Sequence, residues 1–429
     1  MFIKECRAIT KSIIYFAFIA VVLLFYITQL GNYAGDDIKR YKTLESELGK
    51  SLFDNPLIAP TPGHDSYGYR HEEIPEQVMP NAISRLVMEY AKNGFTSYST
   101  GFYRSIKLSE SQLAEIDALL MKMTGLSANE LYNLRNEKII ASDKTAPLND
   151  IDFGDVIPII VSYDEFKSCM EVIDKMIGGS LYFGASNLRL YGHAEITFDD
   201  KLADYNEFLH TDKITGAYAR LFCDYMGITV ALFSVFVPVS FLLRDKRSQM
   251  NELIYSRGKA SASIVLTRYF ALVCMTILPI LFLSLIPTIQ LSIFAVQHDM
   301  SADYLAFAKY IIAWLLPTLL TTTAIAYFFT TLTDTPIAIL LQLIWSFVGV
   351  VSGANYMEGG HYGTEITIRH NSLGNLHLVQ ESLNALIVNR LSYTAISFAL
   401  IIVSIHLYSL KRRGELNVFD GLKKSIGNR

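Results

Sequence analysis

The chain has 429 residues, of which 51% are hydrophobic and 18% are charged, and its formal net charge is −4. The charged share lies below the roughly 25% of an average soluble protein. The apolar residues are gathered in six runs with almost no Asp, Glu, Lys or Arg at their centres. Because about 20 apolar residues suffice for a helix to cross a bilayer, this distribution excludes a soluble protein with one evenly mixed core.

The six runs predict transmembrane helices, since backbone groups in lipid must be hydrogen-bonded within their own segment. In chain order the runs are Ile13–Leu30, Tyr225–Leu243 (with an earlier start near Ala217 left open), Tyr269–Val296, Tyr304–Leu332, Pro336–Ala354 and Leu391–Leu410. The third run contains Pro279 and Pro287, and the fourth contains Pro317. Each proline removes a backbone hydrogen bond, so we expect kinks in these two helices.

A long polar block separates the first run from the other five. The sequence therefore predicts an α-helical polytopic membrane protein with six transmembrane helices, one plus five, and an α-rich α+β extracytoplasmic domain inserted after the first. The predicted parts are a tail with the first helix (1–30), the extracytoplasmic domain (31–216), a five-helix membrane domain (217–410) with a basic loop (244–268) and an outer loop (355–390), and a basic tail (411–429).

An alternative interpretation of the first run is a cleaved signal peptide, because Tyr33-Ala34-Gly35 offers the small residues of a cleavage site after it. Its apolar stretch of 18 residues is longer than the roughly 7–15 residues of a signal-peptide core. The length favours a retained membrane anchor.

Charge asymmetry predicts the orientation of the helices. The leading tail, the basic loop and the closing tail together hold 15 Lys and Arg, and these face six Asp and Glu when Asp334 of the short loop after the fourth run is included. Six crossings place these three segments on one side, which the positive-inside rule makes the cytoplasm. The block 31–216 holds 18 basic and 29 acidic residues. We therefore expect a multi-pass protein of the plasma membrane with both termini in the cytoplasm.

Local signals in the polar block predict a folded domain. Ser109 with Gln112 and Ser127 with Glu130 match capping boxes, and Gly125 predicts the end of the first of these two helices. The further predicted elements are a helix at Asp164–Ile177, a buried strand at Val156–Ser162, a second strand at Leu188–Phe198, a loop at Asn55–Pro80 and one continuous helix through Lys201–Tyr225.

The search for catalytic and metal-binding motifs is negative. The chain has no G-x-x-x-x-G-K-[ST] phosphate loop, so we expect neither ATP hydrolysis nor another enzymatic activity from it. It also lacks H-E-x-x-H and C-x-x-C, and no cofactor or metal is expected in this chain. Three histidines and three glutamates of the outer loop offer metal ligands, but their spacing favours solvated loop residues: His361, His370, His377, Glu358, Glu365 and Glu381.

Ionisable residues come close to the apolar runs only at their edges. Arg220 and Asp224 lie at the outer edge of the second helix, and Lys309 lies near the outer end of the fourth. A transporter driven by protons or sodium usually carries such groups inside the membrane, so the energy for any transport would enter elsewhere. Six threonines of the fourth helix favour packing and hydrogen bonds within the bundle over a polar path: Thr318, Thr321, Thr322, Thr323, Thr330 and Thr331.

The basic loop Arg244–Arg268 includes a predicted short amphipathic helix around Ser248–Tyr255. By its charge alone, the loop is typical of a basic cytoplasmic segment that fixes the orientation of the neighbouring transmembrane helices. Its sequence, RDKRSQMNELIYSRGKASASIVLTR, resembles the first cytoplasmic loop of the permease core in type-2 ABC transporters. The resembling positions are Glu252, Ser256-Arg257 and Arg268, and the ends of the last helix, Asn389–Tyr393 and Lys411–Gly414, are also similar to that family.

The resemblance implies the variant of this family with a large extracytoplasmic domain after the first helix. It implies that the loop is a coupling helix that docks on ATPase subunits, with five residues in mechanical contact: Arg244, Asp245, Glu252, Arg257 and Arg268. The implied partners are two ABC ATPase subunits, which carry ATP and Mg, a second permease copy or homologue, and the lipid bilayer. No nucleic acid is expected as a partner.

The sequence thus predicts the permease subunit of an ABC transporter, an exporter of an unknown substrate. Two alternatives stay open: a membrane sensor or signalling receptor whose extracytoplasmic domain binds a ligand, and a scaffold protein of the cell envelope. The longest predicted cytoplasmic segment has about 25 residues, which is short for a signalling output domain.

Overall fold

A computed structural model describes residues 1–46, 56–60, 62, 67–97, 104–142, 151–180, 182–185, 187–250, 254–256, 258–353, 365–370 and 372–415. The chain forms two compact units. We call Thr61–Lys201 the inserted unit, and Met1–Pro60 with Leu202–Arg429 the helical unit. The predicted boundaries at residues 31 and 216 concern the side of a membrane, and they stay a prediction.

The helical unit begins with an apolar helix that packs into the bundle. Helix α1 covers Phe2–Ile9, α2 covers Ile13–Phe25, a π-helical turn covers Tyr26–Leu30, and α3 covers Tyr33–Ser46. Phe18 and Val22 of α2 are buried in the main hydrophobic core of this unit. The first apolar run therefore belongs to the folded core, and its retention as a membrane anchor stays a prediction.

The inserted unit combines helices with two small antiparallel sheets. Its helices are α4 (Pro75–Ala91), α5 (Glu110–Thr124), α6 (Ala128–Ala141) and α7 (Tyr163–Ile177). Strand β1 (Tyr69–His71) pairs with β4 (His193–Glu195), and β2 (Phe95–Ser97) pairs with β3 (Arg104–Ile106). Residues of α4, α5 and α7 share one core around Leu86, Leu120 and Phe166.

The predicted helix boundaries of this unit are confirmed where they depend on capping. Ser109 and Ser127 each accept a hydrogen bond from the backbone N–H three residues later, and both capping boxes are complete. Gly125 ends α5 with φ of 77°, a left-handed conformation that glycine adopts at little cost. Helix α7 was expected at Asp164–Ile177 and begins one residue earlier, after a third capping box at Ser162.

Two strand predictions in this unit are wrong in whole or part. Val156–Ser162 contains no strand, because Pro158 has no N–H for a ladder and Ile160, at 65% exposed, faces outward. Leu188–Phe198 forms a 3₁₀ turn (Leu188–Tyr191) before the short strand β4.

The predicted loop at Asn55–Pro80 is also partly wrong. Within its described residues, β1 begins at Tyr69 and α4 begins at Pro75, where the missing N–H of proline is tolerated.

Residues 198–250, 258–353 and 372–415 contain nine α-helices and two π-helical turns. They are α8 (Phe198–Asn206), a π-helical turn (Glu207–Thr211), α9 (Thr215–Phe233), α10 (Phe236–Arg247), α11 (Ser261–Gln297), α12 (Ala306–Tyr310), a second π-helical turn (Ile311–Leu315), α13 (Leu316–Thr333), α14 (Ile337–Gly353), α15 (Leu376–Glu381) and α16 (Leu383–Arg412).

Five apolar helices are long enough to cross a membrane among the residues that the structure describes. They span Ile13–Tyr41, Thr215–Arg247, Ser261–Gln297, Ala306–Thr333 and Leu383–Arg412. The predicted fifth run forms α14, whose apolar part, Ile337–Gly349, is shorter. The chain is a mostly helical membrane protein, and the count of six crossings stays a prediction.

The predicted continuous helix through Lys201–Tyr225 is wrong. Lys213 and Ile214 have positive φ values of 52° and 51°, and α9 starts after them. A positive φ is strained for a bulky residue, and the regular helix is interrupted here.

Helix α11 continues through both of its prolines. Pro279 cannot donate to the carbonyl of Met275, which would otherwise lack a helical partner. The Tyr15 hydroxyl of α2 donates to this carbonyl oxygen at 2.9 Å. The first helix thus satisfies a backbone group that a proline in the third predicted helix leaves open.

Replacing Tyr15 by phenylalanine tests this contact. We expect Tyr15→Phe to lower the stability of the purified protein in detergent by about 0.6 kcal/mol, a typical value for hydrogen bonds between membrane helices. In a Pro279→Ala background the helix supplies its own N–H to Met275, and the same change should cost much less. Thermal unfolding of the four variants measures the coupling, and an equal loss in both backgrounds would contradict it.

Candidate functional site

The helical unit carries clusters of buried charge at both ends of its helices. We call the end formed by the described residues of 1–9, 244–268, 333–337 and 408–415 the basic end. We call the end formed by the described residues of 211–224, 298–310 and 365–377 the opposite end. Of the predicted ATPase-contact residues, Arg244, Asp245 and Arg268 belong to the basic end.

At the basic end, buried ion pairs fix both sides of the loop 244–268. The Arg268 guanidinium on α11 lies 2.7 Å from Asp245 on α10 and 3.6 Å from Glu5 on α1. Only 8% of the Arg268 side chain is exposed. A buried charge is tolerated when it is paired with a charge of opposite sign. Together these two ion pairs connect α1, α10 and α11 where the loop begins and ends.

A second group of contacts connects the basic end to the last helix. Asp334 follows α13 in a left-handed conformation, and its carboxylate lies 2.7 Å from the Lys411 ammonium and 4.0 Å from that of Lys246. Arg412 donates to the carbonyl of Tyr255 at 2.7 Å. The described part of the loop is therefore attached to α16 as well.

The Tyr255 side chain packs edge-on against Tyr408 with ring centroids 5.6 Å apart. Burial raises the pKa of Tyr255 to about 12, so its hydroxyl stays protonated at neutral pH. A small cavity of about 50 Å³ lies between these rings and the ion pairs. Through the described contacts, the basic end connects α1, α10, α11 and α16.

The five predicted contact residues fall into three groups. Asp245 and Arg268 are buried and bound to each other, which assigns them to the foot of the loop. Arg244 has 46% of its side chain exposed, with the guanidinium over the Phe241 ring. Glu252 and Arg257 lie outside the described residues, as does part of the short helix expected at 248–255. Contact with an ATPase stays a prediction for all five.

The opposite end contains a buried arginine, Arg220, which the sequence analysis placed at the outer edge of the second predicted helix. Arg220 is fully buried and donates two hydrogen bonds to the Asp212 carboxylate, at 2.8 and 2.6 Å. It also donates to the Tyr310 hydroxyl at 3.0 Å and to the Gly374 carbonyl at 2.9 Å. One side chain thus joins the start of α9, the helix α12 and the segment before α15.

Asp224 lies one helical turn beyond Arg220 and is fully buried. Its carboxylate lies 2.9 Å from the Arg369 guanidinium and accepts a hydrogen bond from the backbone N–H of His370 at 3.1 Å. An arginine and an aspartate four residues apart in an otherwise apolar helix were the sequence signal for this cluster. The signal did not reveal the partners of Asp224, of which His370 is 146 residues away in the sequence.

His370 was expected to be a solvated loop residue, and this prediction is wrong. The imidazole is buried, and its Nε2–H donates to the Gly374 carbonyl at 2.8 Å. Burial lowers the pKa of His370 to about 4, so the ring is neutral at pH 7. His377 is half exposed, 3.6 Å from Glu207, and His361 lies outside the described residues. Among the residues that the structure describes, no three His, Cys, Asp or Glu are grouped as metal ligands.

The segment 365–370 is buried although it is not helical. Its residues Ile366, Thr367 and Ile368 are at most 5% exposed. The carbonyl of Ile366 accepts from the Thr318 hydroxyl at 2.8 Å and from Arg390 at 3.3 Å. Irregular backbone in an apolar environment needs such donors, because no water replaces them.

Hydrogen bonds inside the bundle confirm the packing role predicted for three of the threonines. Thr318 bonds to Ile366, Thr321 to the carbonyls of Pro317 and Tyr393, and Thr322 to Ser234 of α9–α10. The hydroxyls join neighbouring segments, and no polar path is needed to explain them.

The fold is that of a multi-pass membrane protein by the length and composition of its helices. Residues 176–362 match the family model described as ABC-2 family transporter protein. The matched part contains α9 to α14 and the loop 244–268, and it supports an ABC transporter permease, which is a transport subunit without its own catalysis. No curated protein and no solved structure matches the chain.

The Arg220–Asp212 pair should be a main support of the opposite end. Arg220→Met leaves the Asp212 carboxylate without its buried partner, and we expect a loss of about 3–5 kcal/mol. The double variant Arg220→Met/Asp212→Leu removes both charges and should recover part of this loss. Thermal unfolding and the yield of monodisperse protein measure both effects.

A matched control for this experiment is the exposed pair of Lys39 and Asp36, which lie 3.4 Å apart on α3. Lys39→Met should change stability by less than about 1 kcal/mol, since exposed ion pairs contribute little. A similar loss for Arg220→Met and Lys39→Met would contradict the role of the buried pair.

His370 predicts a pH dependence of stability. Its pKa of about 4 in the folded protein lies below the roughly 6.5 of an unfolded chain. The unfolded state therefore binds the proton first as pH falls, and stability is fully present above about pH 6.5 and decreases toward pH 4. The slope from this group is at most about 1.4 kcal/mol per pH unit.

The variant His370→Gln removes the titrating ring and keeps an N–H donor for Gly374. Between pH 7 and pH 5, the melting temperature of the unchanged protein should fall more steeply than that of the variant. Parallel curves would show that His370 does not contribute.

Proposed function

We propose that the protein is the permease subunit of an ABC transporter that exports its substrate, powered by separate ATPase subunits that bind ATP and Mg. The match of residues 176–362 to the ABC-2 transporter family supports the permease role. The direction of transport rests on the resemblance of the loop and the last helix. In this proposal the chain transmits motion and encloses part of the path, and it catalyses no reaction.

The construction of the basic end is the observation that carries the coupling role. A loop that receives force must be attached to the helices that move. Arg268 attaches it to α10 and α1, and Arg412 attaches it to α16. Displacement of the loop by a partner is therefore passed to four helices, including α11, without another element.

A second permease copy or homologue is part of the proposal. Six helices are few to enclose a path for a substrate. Helix α14 also leaves large apolar side chains such as Leu340, Ile344 and Phe347 about half exposed. A path between two copies would use such a surface, whereas a bilayer would cover it in a single copy.

Co-purification from the native host tests the proposal. Tagged protein in mild detergent should retain an ABC ATPase in stoichiometric amount. Glu252→Ala and Arg257→Ala should each reduce the retained ATPase several-fold, because the resemblance places both residues in the contact. Mass spectrometry quantifies the partner, and thermal unfolding checks that each variant folds.

The matched control is Arg413→Ala, which removes a positive charge from the same end. Arg413 pairs with Glu415 at 3.4 Å and lies outside the loop. Its variant should retain the ATPase. Unchanged retention in the Glu252 and Arg257 variants would remove the loop from the contact. A folded protein without any ATPase would instead favour the sensor or scaffold function.

A further inference from the structure

The opposite end contains an open cavity of about 430 Å³. Its polar lining includes Asp212, Lys213, Asp303 and Lys309, and its apolar lining includes Ala306 and Ala313. It lies where the spans Thr215–Arg247 and Ala306–Thr333 begin. A cavity at the end of two membrane spans is at the level where the apolar core of a bilayer meets its headgroups.

The charges around this cavity sum to a positive site. Asp212 is neutralised from behind by Arg220, through two hydrogen bonds. Asp303 binds the Lys309 ammonium at 2.6 Å, and this contact, together with the nearby Lys213, lowers the pKa of the carboxyl. Arg220 and Asp212 cancel each other, so Asp303 is the one carboxylate that balances the two lysines. One net positive charge remains among these five residues.

The backbone presents Lys213 at the rim of the cavity in a strained turn. Lys213 and Ile214 both have a positive φ, which is strained for residues other than glycine. Ile214 is fully buried, and its N–H donates to Phe208 at 3.0 Å. The turn is thus held from inside the fold while the lysine stays exposed.

Helix α12 and the π-helical turn after it present two neighbouring stripes. Ala306, Tyr310 and Ala313 line the cavity, with the spacing of one helical face. Leu305, Lys309 and Ile312 form the adjacent stripe, and Leu305 and Ile312 are 62% and 58% exposed. An ammonium group thus lies between two exposed apolar side chains at the mouth of the cavity.

We infer that this cavity binds the phosphate-bearing headgroup of a membrane lipid. The phosphate contacts the ammonium groups of Lys213 and Lys309, and the acyl chains lie along Leu305 and Ile312. A free phosphate would use the lysines but would leave the volume of the cavity and the apolar stripe unused. The inference goes beyond the proposed transport function and does not require it.

Binding of short-chain lipids to the purified full-length protein tests the inference. Isothermal titration in a maltoside detergent would use three probes: dihexanoyl-phosphatidylglycerol, dihexanoylglycerol, which has the same chains without phosphate, and inorganic phosphate. We expect saturable binding of the phospholipid and at least about fivefold weaker binding of the other two, since one lysine–anion contact near a membrane contributes about 1 kcal/mol.

The variants Lys213→Gln and Lys309→Gln should each weaken phospholipid binding at least about fivefold, for the same reason. Two variants on different elements keep the test valid if one of them fails to fold. The control is Lys39→Gln, which removes an exposed lysine of the same unit outside the cavity and should leave the affinity unchanged.

Three results would overturn the inference. Equal affinity for dihexanoylglycerol would remove the role of the phosphate, and equal affinity for inorganic phosphate would remove the role of the lipid. Phospholipid binding that is absent, or unchanged in both lysine variants, would remove the cavity as the site. None of these results depends on an ATPase partner, so they are distinguishable from failure of the proposed function.

Discussion

Inside the helical unit, a backbone carbonyl that loses its helical partner needs another donor, because an unpaired polar group costs several kcal/mol in an apolar environment. Side chains from distant segments supply these donors. Tyr15 donates to the carbonyl beside Pro279, Arg390 donates to the carbonyls of Trp314 and Ile366, and Gln342 and Ser346 donate to Ala231 at the break between α9 and α10. Each irregularity of the backbone is thus also a point of attachment between helices, and much of the architecture follows from this requirement.

The same requirement explains where the chain keeps its buried charges. Arg220 and Asp212 lie at one end of the span Thr215–Arg247, and Asp245 lies at the other end with Arg268. Each of these four charges has a partner of opposite sign, which reduces the cost of removing it from water. These pairs hold helix ends together and leave the centre of the span to apolar side chains. A span built in this way has firmly held ends, which would suit the proposed role of a subunit driven by a partner.

Sequence reasoning succeeded where a few neighbouring residues decide the structure. Ser109 and Ser127 fix their helix starts with residues three positions away. Local composition located the apolar runs, but the spans that start at Thr215, Ser261 and Leu383 begin before the runs predicted from Tyr225, Tyr269 and Leu391. Sequence reasoning failed where contacts with a segment far away in the chain determine the local structure. His370 has polar neighbours in sequence and reads as solvated, but it is buried by α9 through Asp224. Val156–Ser162 is apolar enough for a strand, yet Ile160 bonds to Met123 of α5, and no partner strand is formed. The loop residues Glu252 and Arg257 still depend on the family resemblance alone.

Helix α16 has 30 residues and is therefore about 45 Å long. Near its first turns, Arg390 binds the carbonyls of Trp314 and Ile366, and at its last turn Lys411 and Arg412 bind Asp334 and the carbonyl of Tyr255. An unbroken rod that is fastened at both ends acts as a lever. A tilt imposed where Arg412 holds the loop displaces the buried segment 365–370 at the far end in the opposite sense about any pivot between them. Force applied on one face of the membrane would thus arrive on the other face already reversed in direction.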